Sequence, residues 1–552
     1  MAYKKGIDRR QTVMFPPCID EMIDPESPVR VVDAFVDGLD MEALGFERST
    51  PKAEGTPGYD PRDLMKLLMY GYFNAVRSSR KLDRECRVNI EAMWLMGGLT
   101  PDFRTISDFR KDNKDAVTAT FKALNRALDG LKLFKNGYVS VDGSKFKAVN
   151  AKDRNFTAAK LDDRLRRLDA KMAQYLEELE TCDEEDEREL SREELRRKLD
   201  ECAERKARYE GMLAMMEREG MSQLSLTDSE SKLMKANEGF VVGYNVQTAV
   251  EEGSHLIAAY RVTDNPTDHG ELTATALEAK ERAGLDVIEG VADKGYESPS
   301  DMAESLCNGV IPSVIQRDNG GTAKIEFEYA ESAQAGNLAG NTDPESLREC
   351  LRAGVVPQIY GGVLSDPEIY EKRTAAVSDG AVSCMTQEEM LELAREGNFV
   401  RDPERNLVYC PQGNILRQKS LKGNGDIRYC NKLACLRCKC KCTMAKFKEA
   451  DFNKDTLVKP AKHSPGTTSK PREQKVTKMV RYTLKLDRNK MDNRKCLSEH
   501  PFGTVKRAIT GHYLLLKGKA KASAEMALLF MAYNLRRAIS MIGVKALVAG
   551  LA

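Results

Sequence analysis

The chain has 552 residues, 41% hydrophobic and 31% charged, which is length enough for several units and for a core that needs no disulfide staples. No apolar run approaches the roughly 18 residues of a membrane helix, and the opening MAYKKGIDRRQ lacks the apolar stretch of a secretion signal, so a cytoplasmic protein with no membrane partner is expected. The formal charge of +1 hides an asymmetry: residues 401–552 carry 33 Lys/Arg against 11 Asp/Glu, and the first 400 carry 53 against 74. The basic end suits a polyanion, although charge alone fits a lysine-rich solvated surface equally well.

Residues 1–130 read as helical. PESPVRVVDAFVDGLDMEAL opens with Asp24 before Pro25 and places Val32, Phe35, Val36 and Leu39 at helical spacing. A Gly/Pro loop, 55–61, precedes the amphipathic DLMKLLMYGYFNAV and the basic turn RSSRK. In TPDFRTISDFRKDN, Thr105 and Ser107 stand near an expected helix start. Short helices joined by Ser/Arg-rich turns are compatible with DNA contact, and equally with plain oligomerisation.

From Leu131 the pattern changes to strands, beginning with GYVSVDGSKFKAV (137–149). Leu161, Leu165, Leu168, Met172, Tyr175 and Leu179 then recur at 4-3-4-3-4 spacing. The spacing resumes after CDEEDEREL, with Ser191 and Glu194 as an expected capping box. This predicts an antiparallel helical hairpin over about 157–220, whose acidic sides suit packing or dimer contact better than DNA. Strands return at 240–250 and 254–263 as an expected antiparallel pair, followed by a helix ending at Gly284, a short buried strand in LDVIEGVADKG, a helix, and a strand in VIPSVIQ. Such an order predicts a mixed α/β sheet covered by helices. Residues 318–400 show no clear period and are expected to form an insertion, partly loop. A basic linker at 454–475 leads to closing helices from about 494.

Of 14 cysteines, six lie between Cys410 and Cys442. Cys435-x-x-Cys438 has the spacing of a metal clip. With Cys410 and Cys442 it would form a tetrahedral thiolate site for structural Zn²⁺, with no open position for catalysis. Free thiols in a basic loop are the other reading, because the first half lacks a second Cys-x-x-Cys.

Two strand ends carry an Asp next to a glycine-containing turn: Asp142 after YVSV and Asp293 after VIEGVA, a place where α/β sheets build sites and also where turns and caps occur. Glu499 lies on an expected helix with Lys506 seven residues on, two turns away on the same face. His500 is expected to pack or cap. Asp264 and Asp268, after a strand, suit turn or cap roles, with a supporting role behind a site as the alternative.

In this order VDGSKFKA, VADKGYES and SEHPFGTVKR resemble the three catalytic blocks of bacterial insertion-sequence transposases of the DDE type. GYDPRDLMKLLMYGYFNAVRSSRKL and PDFRTISDFRKDN resemble the helical domain preceding the core in one branch. VGYNVQTAV and VTDNPTDHGEL resemble its core strands, and YCPQGNIL with the Cys cluster its late insertion. Around the Glu that family often has a Tyr and an Arg before it and a Lys after it. Lys506 fits the Lys, whereas Lys495 stands in the Arg place, beside Arg494, and Asp492 in the Tyr place.

The resemblance implies an RNase H-like core in which Asp142, Asp293 and Glu499 hold Mg²⁺ or Mn²⁺ and Lys506 neutralises phosphate. It implies metal-dependent cleavage at the terminal inverted repeats of the protein's own element, joining to target DNA, and a homodimer on DNA. Arg77, Arg80, Lys81, Arg104, Arg110, Arg494, Lys495 and Arg507 are the expected DNA contacts. The expected divisions are a helical DNA-end domain (1–130), the first part of the core (131–317), an insertion with the Cys-rich segment 410–442 (318–480), and the closing core helices (481–552). A nuclease without strand transfer, or a zinc-containing DNA-binding protein with an inactive core, are the rival readings.

Overall fold

A computed structural model describes residues 18–551 except 51–57, 151–153, 181–188, 219–222, 237–238, 315–320, 366, 376–384, 404, 423–425, 439–446, 454–455, 462–473 and 511–512. The chain forms two compact units, one of residues 1–367 with 482–552 and one of residues 368–481. Residues 318–367, expected within the insertion, thus belong to the first unit.

The first unit begins with helices α1 (Val29–Asp37), α2 (Pro61–Phe73), α3 (Ser79–Val88), α4 (Ile90–Leu95), α5 (Phe103–Asp112) and α6 (Lys114–Gly130). α1 buries Val32, Phe35 and Val36, as their spacing requires, but starts at Val29, later than Asp24-Pro25 suggests. α2 starts at Pro61 behind Asp60, whose carboxylate accepts from Arg62 N–H. α5 is capped by Asp102, which accepts from the N–H groups of Arg104 and Thr105, so Thr105 and Ser107 are helical residues and not its start.

The sheet of this unit starts with β1 (Val139–Lys147). A short pair, β2 (Asn155–Thr157) and β3 (Gln223–Ser225), closes the base of the helical hairpin α7 (Ala158–Glu180) and α8 (Glu189–Arg218). The described part of α8 begins ahead of Ser191, which therefore lies inside the helix and not at its cap. β4 (Lys232–Ala236), β5 (Gly239–Glu251) and β6 (Ile257–Thr263) follow, then α9 (Leu272–Ala283), β7 (Ile288–Ala292), α10 (Pro299–Cys307) and β8 (Val310–Val314). The sheet order is β4-β5-β1-β7-β8, with β6 also paired to β5. β1, β4, β5 and β6 pair antiparallel, whereas β7 and β8 run parallel to β1. Gly284 ends α9 in the left-handed region, at φ +60°.

Where no period was read, TAKIEFE (Thr322–Glu328) forms a strand that buries Ala323, Ile325 and Phe327 on alternate positions. Pro344–Ala353 forms a helix capped by Asp343. Both signals are present in the sequence, but Gly- and Ser-rich flanks obscure them.

The unit closes with α11 (Arg488–Thr504), a π-helical turn over Val505–Thr510, α12 (Lys519–Ile542) and α13 (Val544–Leu551). α12 is buried through Met526–Leu535, apolar on all sides because it runs through the core. Asn534 Oδ1 accepts from Ile257 N–H at 2.9 Å, and Asn534 Nδ2 donates to Asn125 Oδ1 at 2.9 Å, joining α12 to β6 and α6.

The second unit holds an antiparallel six-stranded sheet, ordered Glu449–Phe452, Ile427–Cys430, Ile415–Leu421, Leu407–Tyr409, Asn398–Asp402, Val458–Pro460. One side buries Phe399, Val408, Leu416, Tyr429 and Phe452. The other packs Val400 and Tyr409 on Met390 and Ala394 of the helix Gln387–Arg395. A ladder from Glu368↔Arg481 to Ala375↔Gln474 completes it.

Candidate active site

β1 and β7 run side by side, paired at Val139↔Gly290 and Ser140↔Val291. Asp142 lies two residues beyond the second pair, and Asp293 is likewise two residues beyond Val291. Two carboxylates separated by 150 residues of chain therefore meet because their strands are parallel neighbours. Asp293 leaves the strand in an Asx turn, its Oδ1 accepting from Gly295 N–H at 2.8 Å. The even-numbered residues of β1 face α11. Ser140 Oγ donates to the carbonyl of Arg494 at 3.3 Å, and the rings of Phe146 and Phe502 lie 6.2 Å apart. Glu499 lies on α11 between these two anchors.

Burial dominates the electrostatics of Asp142. It pushes the carboxyl up from 3.8 to about 6, against the pull of Gly143 N–H and the Arg494 guanidinium, while the charges of Asp293 and Asp268 add to the rise. The folded chain thus retains a proton that the unfolded chain has shed between these values. The stability this group contributes is complete below about pH 4 and is lost as the pH rises through about 6. In EDTA, the melting temperature of the parent is expected to fall between pH 4.5 and 7, and this fall to shrink in Asp142→Asn. An equal fall in both forms would contradict the assignment.

Lys506 lies in the π-helical turn. Its ammonium donates to Ser144 Oγ at 2.6 Å and to the carbonyl of Lys145 at 3.1 Å, and sits 4.8 Å from the centre of the Phe146 ring. It is therefore placed beside β1, two residues beyond Asp142. Glu499 and His500 are exposed. His500 Nδ1 lies 3.1 Å from Tyr533 Oη, a packing contact with α12. Among the described residues no three His, Cys, Asp or Glu side chains stand close enough together to hold a metal ion. Asp142 and Asp293 are thus brought together, and Glu499 is on the helix above them without closing a three-acid cage.

The reading of the sequence left Asp268 in the background. Its Oδ1 accepts from Lys145 Nζ (2.9 Å), Asn245 Nδ2 (2.7 Å) and Gln247 Nε2 (2.9 Å). Gly143 makes room for it, and Gly295 makes room for Asp293. A methyl group on Gly143 would lie 2.5 Å from Asp268 Oδ1 and would collide with the Gln247 amide. One on Gly295 would lie 2.9 Å from Asp293 Oδ1 and 3.9 Å from Asp268 Oδ2. Asp264, by contrast, is used in ion pairs with Lys232 (2.6 Å) and Lys519 (3.6 Å).

Two arginines expected at DNA are interior. Arg77 and Arg110 are 6% and 5% exposed. Arg77 pairs with Glu525 at 2.9 Å, and Arg110 donates to the carbonyl of Arg77 at 3.0 Å. A Ser/Arg-rich turn reads as surface, but this one is pressed against α12, where a buried carboxylate claims the guanidinium. Arg80, Lys81, Arg104, Lys495 and Arg507 are exposed, and Arg494 is half-buried. Arg80 and Arg104 both lie over the Phe103 ring, at 5.1 and 5.8 Å. Lys81 and Arg507 line one cleft of about 290 Å³ with Arg77, Ser78 and Tyr513.

In the second unit, Cys410, Cys435 and Cys438 line a common small cavity of about 20 Å³. Burial pushes the Cys410 thiol above its usual range. Cys442 lies outside the described residues.

Residues 17–112 match a family model described as a transposase domain (DUF772). The match supports a transposase. It spans α1 to α5 and ends before Asp142, so it bears on the N-terminal helices and not on the acids. No curated protein matches the chain.

Proposed function

We propose that the chain is a DNA transposase of the DDE type, with an RNase H-like core that cuts DNA at the ends of its own element and joins those ends to target DNA. The observation that carries this reading is the meeting of Asp142, inside β1, with Asp293, just past the end of its parallel neighbour β7, beneath the helix that carries Glu499. The transposase-domain match over residues 17–112 supports the transposase part of it. The proposed place of action is the cytoplasm, on nucleoid DNA.

The surroundings of Asp142 fit a divalent cation. The donors are carboxylate oxygens, which suit hard Mg²⁺ or Mn²⁺. Burial holds the Asp142 carboxyl high against the pull of Arg494, and the charges of Asp293 and Asp268 add to the rise, which a cation would relieve. Thr248, paired opposite Asp142 and fully buried, has no hydrogen-bond partner for its Oγ1 among the described residues. Asp142, Asp293 and Glu499 would hold the ion or ions. When bound, such ions activate the attacking oxygen and stabilise the leaving oxyanion of a phosphodiester displacement. The protein's own share is to hold Asp142 within β1 and Asp293 at the end of β7, and to keep Lys506 against β1, where its charge offsets the phosphate. α11 presents Glu499 from above. Joining two ends requires both on one assembly, so a homodimer on DNA is part of the proposal.

The test is an assay with labelled DNA from the borders of the protein's own gene, Mg²⁺ and a supercoiled target. Joined product is expected. Cleavage without joining would favour a nuclease, and binding without cleavage an inactive DNA-binding protein. For end recognition, replacing Arg80, Lys81, Arg104 and Arg507 with Ala is expected to weaken binding across sequences. It should also flatten the slope of log affinity against log salt by up to about 0.9 per lost phosphate contact. An unchanged slope would remove this face from the interface.

We also propose structural Zn²⁺ on Cys410, Cys435, Cys438 and Cys442. Metal analysis of protein purified without chelator is expected to give about one zinc per chain, and Cys435→Ser to abolish it. A zinc-free parent would leave these residues as free thiols.

A further inference from the structure

Asp268 is an anchored carboxylate with one oxygen unused. Its Oδ1 receives three donors, from Lys145, Asn245 and Gln247. Among the described residues Oδ2 receives none. This asymmetry is the arrangement by which a protein aims a carboxylate at a metal site: outer partners saturate one oxygen and leave the other directed at the ion or its waters. Gly295 stands beside both acids: a methyl group on it would lie 2.9 Å from Asp293 Oδ1 and 3.9 Å from Asp268 Oδ2, so the unused oxygen is on the side of Asp293.

The supports of Asp268 reach into both motifs. Lys145 lies three residues after Asp142, in the strand that carries it. Gln247 is paired with Gly143 across the β1–β5 ladder, and its Oε1 accepts from Tyr296 Oη, three residues after Asp293. Tyr296 and Gln247 are both fully buried. One hydrogen-bonded chain therefore ties the segment after Asp142, the segment after Asp293 and Asp268 into a single unit. Among the described residues two buried atoms of β5 have no partner: Asn245 Oδ1, on the residue that donates to Asp268, and Thr248 Oγ1, on the other face, opposite Asp142. Both residues are fully buried. Unpartnered acceptors and hydroxyls in such a place suit bound water around a cation.

Mg²⁺ gives up its waters reluctantly and is commonly held by one or two carboxylates with several waters retained. An acid slightly too far for direct ligation still contributes by accepting a hydrogen bond from a retained water. Asp268 has the charge and the unused oxygen for that role.

We propose that Asp268 is a positioning residue of the metal centre, its Oδ2 accepting from a water on the cation that Asp142 and Asp293 hold. This rests on the metal-dependent reading above, and the test separates the two. Mn²⁺ is titrated into the full-length protein without DNA, and free Mn²⁺ is followed by electron paramagnetic resonance. The parent is compared with Asp142→Asn, Asp293→Asn, Asp268→Asn and Asp264→Asn, each checked for folding by its melting temperature in EDTA. The parent is expected to bind, Asp142→Asn and Asp293→Asn to lose the site, Asp268→Asn to bind about 10- to 100-fold more weakly, and Asp264→Asn to match the parent.

If Asp142→Asn and Asp293→Asn lose binding while Asp268→Asn stays within twofold of the parent, the role of Asp268 is overturned and the metal centre stands. If the parent binds no Mn²⁺, or Asp142→Asn and Asp293→Asn bind as it does, both fall. Should Asp268→Asn not fold, Gln247→Met carries the comparison, because it removes one donor that aims the carboxylate and leaves every charge in place. Several-fold weaker Mn²⁺ binding supports the proposal, and parent-like affinity overturns it.

Discussion

Asp142→Asn is expected to lower end cleavage and joining by about a thousandfold or more, equivalent to about 4 kcal/mol of barrier, while leaving DNA affinity within a few-fold of the parent. Asn keeps the shape of the side chain and one oxygen to accept from Gly143 N–H, which donates to Asp142 Oδ1 at 2.9 Å. What it removes is the negative charge that a divalent cation requires. Because Asp142 is held high by burial and by two neighbouring acids, the neutral form is already tolerated in the folded chain. The substitution should therefore spare the fold, and this separates lost chemistry from lost structure. Unchanged cleavage by Asp142→Asn would remove this residue from the mechanism whatever its neighbours do.

Arg77→Ala is expected to destabilise the first unit by about 3–5 kcal/mol, because it strands Glu525 without its partner. Glu525 is fully buried. Its Oε1 accepts from Arg77 at 2.9 Å, and its Oε2 accepts from the N–H groups of Leu515 and Leu516 at 2.8 and 3.1 Å. Burial pushes Glu525 above the usual carboxylate range even with Arg77 and Arg110 beside it, so the pairing only partly offsets the desolvation. Arg77 also donates to the carbonyl of Tyr513 at 2.9 Å and lies 4.8 Å from the centre of its ring. The pair thus fastens the turn between α2 and α3 to the segment leading into α12. Urea unfolding read by the single tryptophan, Trp94, checks the expectation. Arg77→Met combined with Glu525→Gln should recover part of the loss, since the buried carboxylate is then no longer stranded, while Arg110 beside it loses a counter-charge. An effect below about 1 kcal/mol for Arg77→Ala would show the pair to be solvated.

The two predictions mark where sequence was informative and where it was not. Asp142 and Asp293 were legible because each follows a run of strand residues and stands near a glycine, which is a local signal; only Asp293 ends its strand, whereas β1 runs on through Gly143 to Lys147 with Asp142 inside it, because β5 pairs with it along its whole length. Their meeting depends on the parallel pairing of β1 and β7, which alternating residues alone do not specify. The hairpin was legible from its heptad-like spacing, and its two helices are long enough to express it. The buried fate of Arg77 and Arg110 was hidden, because the carboxylate that neutralises Arg77 lies 448 residues away on α12. Asp268 was hidden for the same reason. In VTDNPTDHGEL it reads as a turn residue. Only the fold brings Lys145, Asn245 and Gln247 around it and shows which oxygen is left free. The strand Thr322–Glu328 was present as a period of two, in a region whose composition suggested loop.

The central claim is that Glu499 joins Asp142 and Asp293 in a metal-dependent reaction on DNA ends. The most direct measurement is strand transfer of a pre-cut, labelled end into a target plasmid in Mg²⁺, by the parent and by Glu499→Gln. The account predicts joined product from the parent that disappears in EDTA, and none above background from Glu499→Gln at equal end binding. Joining that survives in Glu499→Gln, or proceeds as well in EDTA, would contradict it.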